Sequence, residues 1–194
     1  MALAGAGLLP MVGCLSAAEV AGKPNSKVAG VQIGINVPYS FGEPAMSGDD
    51  VLKNCVQLGL SAVELRAQPI ETFLGAPTNL VFPKKGVDAA DNAKQLAAWR
   101  KSAPLDRVAE FRKTYESAGV LIEIVKVDKI FEMTDDELDY VFKLAKAVGG
   151  RAISTEISTK DEELKRVGEF ADKHKFMVGY HGHTHTGPKE WEKA

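Results

Sequence analysis

Apolar and polar positions along the chain follow two alternating periods, and the switches between them predict a repeating strand–helix order. Residues 28–37, VAGVQIGINV, are rich in β-branched side chains and stop at Pro38, which predicts a first strand. Ser47-Gly48-Asp49-Asp50 offers a capping hydroxyl and two acids for the positive end of a helix dipole. Val51, Leu52, Cys55, Val56 and Leu58 follow at helical spacing, and Gly59 ends that helix. Residues 62–65, AVEL, predict a second strand. Residues 67–90, with Pro69, Pro77 and Pro83, read as a long loop, a length often tied to function. Helices are expected over 91–102 and 105–118, parted at Pro104 and closed by Gly119. Residues 120–127, VLIEIVKV, form the third expected strand.

Thr134-Asp135-Asp136-Glu137 has the form of a capping box and starts a helix that runs to Gly149-Gly150. A fourth strand is expected over 152–158, AISTEIS, then a helix capped by the Thr159-Lys160-Asp161-Glu162 stretch and ending near Lys173-His174. Residues 176–181, FMVGYH, predict a fifth strand, 184–188 a loop, and 189–194 the start of another helix. Such alternation implies a parallel α/β sheet with right-handed crossovers. A doubly wound sheet normally carries a Gly-rich phosphate turn after its first strand, and PYSFGEPAMSGDD has none. A closed barrel usually takes about 250 residues, more than 27–194 supply. The expected fold is an incomplete (β/α)8 TIM-barrel type of about five βα units, with strands six to eight missing.

Composition narrows the function class. The chain is 45% hydrophobic and 26% charged with a net charge of −2, which suits a globular domain and excludes a basic nucleic-acid footprint. Residues 1–18, MALAGAGLLPMVGCLSAA, are small and apolar but lack a cationic start, and they are too short and too rich in Gly and Pro to span a membrane. They read either as an export signal without its basic region or as an irregular surface segment. Ser16-Ala17-Ala18 fits a cleavage site, and Met11-Val12-Gly13-Cys14 loosely resembles a lipobox. The expectation is a leader over 1–26, a barrel over 27–194, and periplasmic or exported protein with a possible lipid anchor, cytoplasmic residence being the alternative. Cys55, on an apolar helix face, reads as a core residue.

Three of the four histidines, His181, His183 and His185, fall within five residues at the end of the fifth strand. In extended backbone such positions share a face, and imidazole is a common ligand for Zn, Mn, Fe or Ni. Glu156 sits inside a short β-branched strand, where a carboxylate is costly to bury unless paired or metal-bound. Glu64 and Arg66 share a face at the end of strand two, and Lys126 takes the equivalent place on strand three. Each suits either a polyol or phosphate ligand or a structural ion pair at the rim. His174 ends a helix, where a cation suits the dipole.

Gly179-Tyr180-His181-Gly182-His183-Thr184-His185, followed by Trp191-Glu192-Lys193-Ala194, resembles the Y-H-N-H segment of the sugar phosphate isomerase/epimerase family, the xylose-isomerase-like barrels. GVQIGINVPYSF, SAVELR and GGRAISTE fall in the order of that family's first, second and fourth strands. The resemblance implies a divalent metal ion (Mn, Zn, Mg or Co) held by Glu156 and His181 with His183 beside them. It assigns Glu156 a role as ligand or base and makes Glu64, Arg66, Lys126 and His183 substrate-binding. His185 would belong to the following loop.

The implied reaction is isomerisation or epimerisation of a sugar or keto-sugar through an ene-diolate. Keto-sugar hydration or elimination is the nearest alternative. An endonuclease-like branch of the superfamily would need a basic groove and more ligands. Gly182 departs from the family's Asn, and the family's later Asp, His and Glu ligands have no counterpart here. A non-catalytic carbohydrate-binding remnant, self-associating through open barrel edges, is therefore a further expectation.

Overall fold

The computed structural model describes residues 22–183. A two-residue hairpin opens it: β1 (Lys27–Val28) and β2 (Val31–Gln32) pair antiparallel, Lys27 with Gln32 and Val28 with Val31. β3 (Ile35–Val37), β4 (Ala62–Arg66), β5 (Leu121–Lys126), β6 (Ala152–Glu156) and β7 (Met177–His181) form one parallel sheet in sequential order. The connections carry α1 (Gly48–Gln57), then α2 (Ala67–Phe73), α3 (Thr78–Val81), α4 (Ala89–Arg100) and α5 (Val108–Ala118), then α6 (Asp135–Ala147) and α7 (Asp161–His174). A doubly wound sheet reverses its strand order at a switch point. This one does not, and its order is that of successive barrel strands.

The first expected strand is two elements rather than one. Ala29 and Gly30 both take positive φ, 49° and 82°, which makes the tight turn between β1 and β2, and only Ile35–Val37 joins the parallel sheet. The unbroken run of β-branched residues conceals that turn. The hairpin is tied down from Ser26, whose backbone N–H donates to Ser61 Oγ at 2.9 Å, while Ser61 N–H donates to Ser26 Oγ at 2.9 Å. Ser26 is thereby held against Ser61, just ahead of β4.

The expected loop over 67–90 contains α2 and α3. Pro69 lies in the first turn of α2 and Pro77 caps α3, both places where a missing N–H costs no helical hydrogen bond. Asp88 starts α4, its carboxylate accepting from the N–H of Ala90 and Asp91. At α6 the capping box forms, Thr134 Oγ1 accepting from Glu137 N–H and Glu137 from Thr134 N–H. β6 ends at Glu156 rather than residue 158, and within the 159–162 stretch Lys160 takes the cap position of α7, its side chain making no capping bond. Ser158 serves instead, its Oγ accepting from Lys160 N–H at 3.1 Å.

Helices cover one face of the sheet. Val37, Leu65, Val125 and Ile153 stand level in successive strands and are fully buried against them. Burying a side chain of that size contributes about 1.5–3 kcal/mol before chain entropy is counted. Cys55 lies in the same core, and burial pushes its thiol up to about 11. At the α1–α5 contact a Cβ on Gly48 would lie 2.5 Å from Phe111 Cε2, so only glycine fits beneath that ring. Tyr115 closes the contact by donating its hydroxyl to Gly48 O at 2.7 Å. Among the described residues no helix is long and apolar enough to cross a membrane. Residues 1–21, with the leader and Cys14, lie outside the described residues, as do His185 and the helix start expected over 189–194.

Candidate metal centre

The face of the sheet opposite the helices carries the polar residues. Arg66, Lys126, Ser154 and Gly179 stand level across β4 to β7, and Glu156 pairs with His181 one step further along. A register shift on β5 puts Lys126 there. Val63 pairs with Ile122, but Glu64 pairs with Ile124, so Glu123 is an extra residue on β5. Without it Val125 would stand level with Arg66 and Lys126 would turn into the core. A bulge of this kind re-aims every side chain beyond it.

Lys126 is 2% exposed in its side chain and donates from Nζ to Glu156 Oε1 at 2.8 Å. The other oxygen of Glu156 lies 2.9 Å from His183 Nε2. Glu156, 45% exposed, thus bridges a buried ammonium and an imidazole. Burial works against its ionisation, but the hydrogen bond and charge of Lys126, with lesser help from His181 and His183, hold the carboxyl below its ordinary range. The His181 and His183 rings meet edge to face with centroids 4.9 Å apart. One ligand atom from each of Glu156, His181 and His183 lies within 4.8 Å of the others. One oxygen and two nitrogens is a donor set that suits Zn, Mn or Co better than Mg, which favours oxygen alone.

Of the other expected site residues, Glu64 accepts a hydrogen bond from Ser154 Oγ. Arg66 pairs with Asp128 and lies 5.3 Å from the Tyr39 ring. Glu64 and Arg66 therefore share a face without pairing to each other. Gln68 Nε2 joins Arg66 on the same Asp128 oxygen at 3.0 Å. Asn36 Oδ1 and Arg66 Nε are buried without a hydrogen-bond partner. Asn36 stands level with Glu64, so both open atoms belong to the β3–β4 end of this face.

Asp128, Gln68, Ser154 and Tyr39 are additions to the residues expected from sequence. Asp128 was detectable as the next polar alternate after Lys126, whereas Ser154 and Tyr39 join only through register and turn geometry. His174 is structural: its Nε2 lies 2.7 Å from Asp139 Oδ1 and its ring stacks on Phe142 at 5.2 Å.

Comparison with known proteins finds no matching family model and no matching curated protein. Among solved structures, the chain is similar to an uncharacterised protein of Parabacteroides distasonis with a TM-score of 0.52. That match has 21% identity and covers 78% of this chain and 53% of the other. The probable 3-DHS dehydratase AsbF of Bacillus anthracis, involved in petrobactin synthesis, aligns at a TM-score of 0.45 with 14% identity, over 77% of this chain and 52% of that one. The chain spans about half the length of these structures. The first likeness shows the fold: a parallel α/β sheet with its helices, shared with part of a larger solved protein.

Proposed function

We propose that Glu156, His181 and His183 hold a divalent metal ion on the open face of the sheet. Glu64, Arg66 and Ser154 would bind a sugar or keto-sugar beside it, with the buried Lys126 steadying Glu156 rather than touching substrate, for isomerisation or epimerisation by proton transfer at carbon. The observation that carries this reading is the convergence of three donor atoms of the right type within 4.8 Å at the C-terminal ends of adjacent strands. Parallel α/β sheets bind ligands at that end.

Lys126 and Glu156 divide the work. A carboxylate held ionised by a buried ammonium is a good ligand, so Glu156 holds the ion, and the Glu64 carboxylate on the same face is the group that would take the proton from carbon and return it. Lys126 fixes the Glu156 carboxylate in place through Oε1 and leaves Oε2 towards the histidines. Glu64, held by Ser154, and Arg66, held by Asp128, then present preset polar groups to hydroxyls of a polyol. When bound, the ion supplies Lewis-acid polarisation of a carbonyl or hydroxyl oxygen.

The test is to incubate the metal-loaded protein with a panel of aldoses, ketoses and keto-sugars in deuterated water and follow the sugars by NMR. Deuterium entering at carbon beside a carbonyl, with an isomer or epimer formed, supports the reading. Loss of water instead would make the protein a dehydratase. No exchange with any member of the panel, in a preparation shown to hold the ion, would reject the proposal.

A further inference from the structure

Among the described residues, most of the large hydrophobic side chains left open to solvent gather at the end of the sheet opposite the three metal donors. Val28, Val31 and Ile33 belong to the β1–β2 hairpin and the residue after it, Leu58 ends α1, and Leu121 and Met177 are the first residues of β5 and β7. The hairpin is fixed at that end through Ser61, just ahead of β4, where Gln32 Nε2 donates to Ser61 Oγ at 3.0 Å. The Gln32 side of the hairpin therefore faces the sheet. Val28 and Val31 stand opposite each other one step along, so strand alternation turns them outward, and they are 65% and 62% exposed.

Cations surround this apolar outer face. Lys23, Lys27 and Lys175 are all exposed. The stem of Lys23 lies against Gly119, two residues before β5, and Lys175 caps α7 just ahead of β7. Two acids of this end are already paired, Glu116 with Arg112 at 2.6 Å and Glu123 with Arg151 at 2.9 Å. Asp172, in the last turn of α7, remains against the three lysines. The sequence adds a third observation. Residues 1–18 are small and apolar with no charged side chain, and the chain enters this same end through Gly22 and Lys23. From residue 18 to Val28 an extended chain spans at most about 35 Å, so a surface that holds the leader is within reach of the hairpin.

We infer that the outer face of the β1–β2 hairpin rests on a lipid bilayer with anionic headgroups. Val28 and Val31 enter the boundary between headgroups and acyl chains, and Lys23, Lys27 and Lys175 lie against the headgroup phosphates. The sheet then stands with the Glu156, His181 and His183 end away from the membrane, open to a water-borne ligand. A second copy of the chain is a poorer occupant, because the same three lysines would face each other across the contact. This surface does not rest on the proposed metal centre.

Co-sedimentation of the full chain with vesicles of phosphatidylglycerol and phosphatidylcholine, and with vesicles of phosphatidylcholine alone, tests the inference. The anionic vesicles are expected to bind at least about tenfold more tightly at low salt, since each lysine near such a surface contributes about fivefold, and to lose that preference at high salt. Val28→Ser combined with Val31→Ser should weaken binding by about tenfold or more. That variant leaves residues 1–21 intact, so the loss reports the hairpin and not the leader. Val87→Ser, at an exposed valine outside the patch, should bind as the native chain does. No binding to either vesicle, equal binding to both, or native affinity in the double variant overturns the inference. So does self-association without lipid that the double variant abolishes, which would give the face to a second copy. The comparison of the two vesicles uses the native chain and holds whether or not a variant folds.

Discussion

Lys126 and Glu156 meet across neighbouring strands at 2.8 Å, with the lysine 2% and the glutamate 45% exposed in their side chains. The asymmetry of that pair sets its energetics. An ammonium that cannot reach water depends on its partner, whereas a half-exposed carboxylate that loses its partner is rehydrated.

Glu156→Gln should therefore destabilise the metal-free chain by about 1–3 kcal/mol, because it leaves a buried cation without countercharge. Lys126→Met keeps the apolar stem buried and should cost less, about 1 kcal/mol or below. Urea denaturation in the presence of a chelator measures both. The reverse order would show that the pair is held from the glutamate side.

The same pair has an acid limb. The folded Glu156 carboxyl titrates below its ordinary value of 4.5, so its contribution to stability is fully present above that pH. It is lost as the pH falls through the lower, folded-state value. The difference in urea midpoint between the native chain and Glu156→Gln should shrink as the pH falls below 4.5. A difference that instead grows on acidification would contradict the lysine pairing.

Arg100 joins α2, α4 and α6 through Glu71 and Glu137. Arg100→Met should cost about 3–5 kcal/mol, since two buried carboxylates are then left facing each other. Adding Glu71→Gln to that variant should recover part of the loss. Chemical denaturation of the single and double variants forms the cycle, and strict additivity would deny the shared-cation arrangement.

Gly48→Ala improves helix propensity by about 1 kcal/mol and should still destabilise the protein, by about 1–3 kcal/mol overall. The new Cβ would overlap the Phe111 ring, which is stacked on Tyr115 at 4.8 Å and cannot easily withdraw. Adding Phe111→Leu should reduce the penalty of the alanine. Thermal melts of the three variants are sufficient.

Much of the helix plan was readable because its signals are local. The Ser47 cap of α1, the Thr134–Glu137 box of α6 and the Gly119 stop of α5 are each written within a few residues. Pro69 and Pro77 misled because a proline at a helix start looks the same in sequence as one that ends it. The Ala29-Gly30 turn hid inside a valine-rich run for a similar reason, since alanine rarely marks positive φ.

At the site, the closeness of Glu156, His181 and His183 follows from strand-end position and two-residue spacing, so it was legible. The Ser154–Glu64 bond and the Arg66–Asp128 pair were not, because they depend on strand register over 62 to 90 residues of sequence. The bulge at Glu123 that turns Lys126 to the open face has no sequence marker of its own.

If the site is a metal centre, Glu156, His181 and His183 together hold one divalent ion. Titration calorimetry of the chelator-stripped protein with Zn, Mn and Co tests it directly. The account predicts one ion per chain for at least one of these metals, with His181→Ala and Glu156→Ala each weakening binding by about tenfold or more, and His174→Ala leaving it unchanged. Equal affinity in the native chain and His181→Ala, or no stoichiometric binding of any of the three metals, would contradict it.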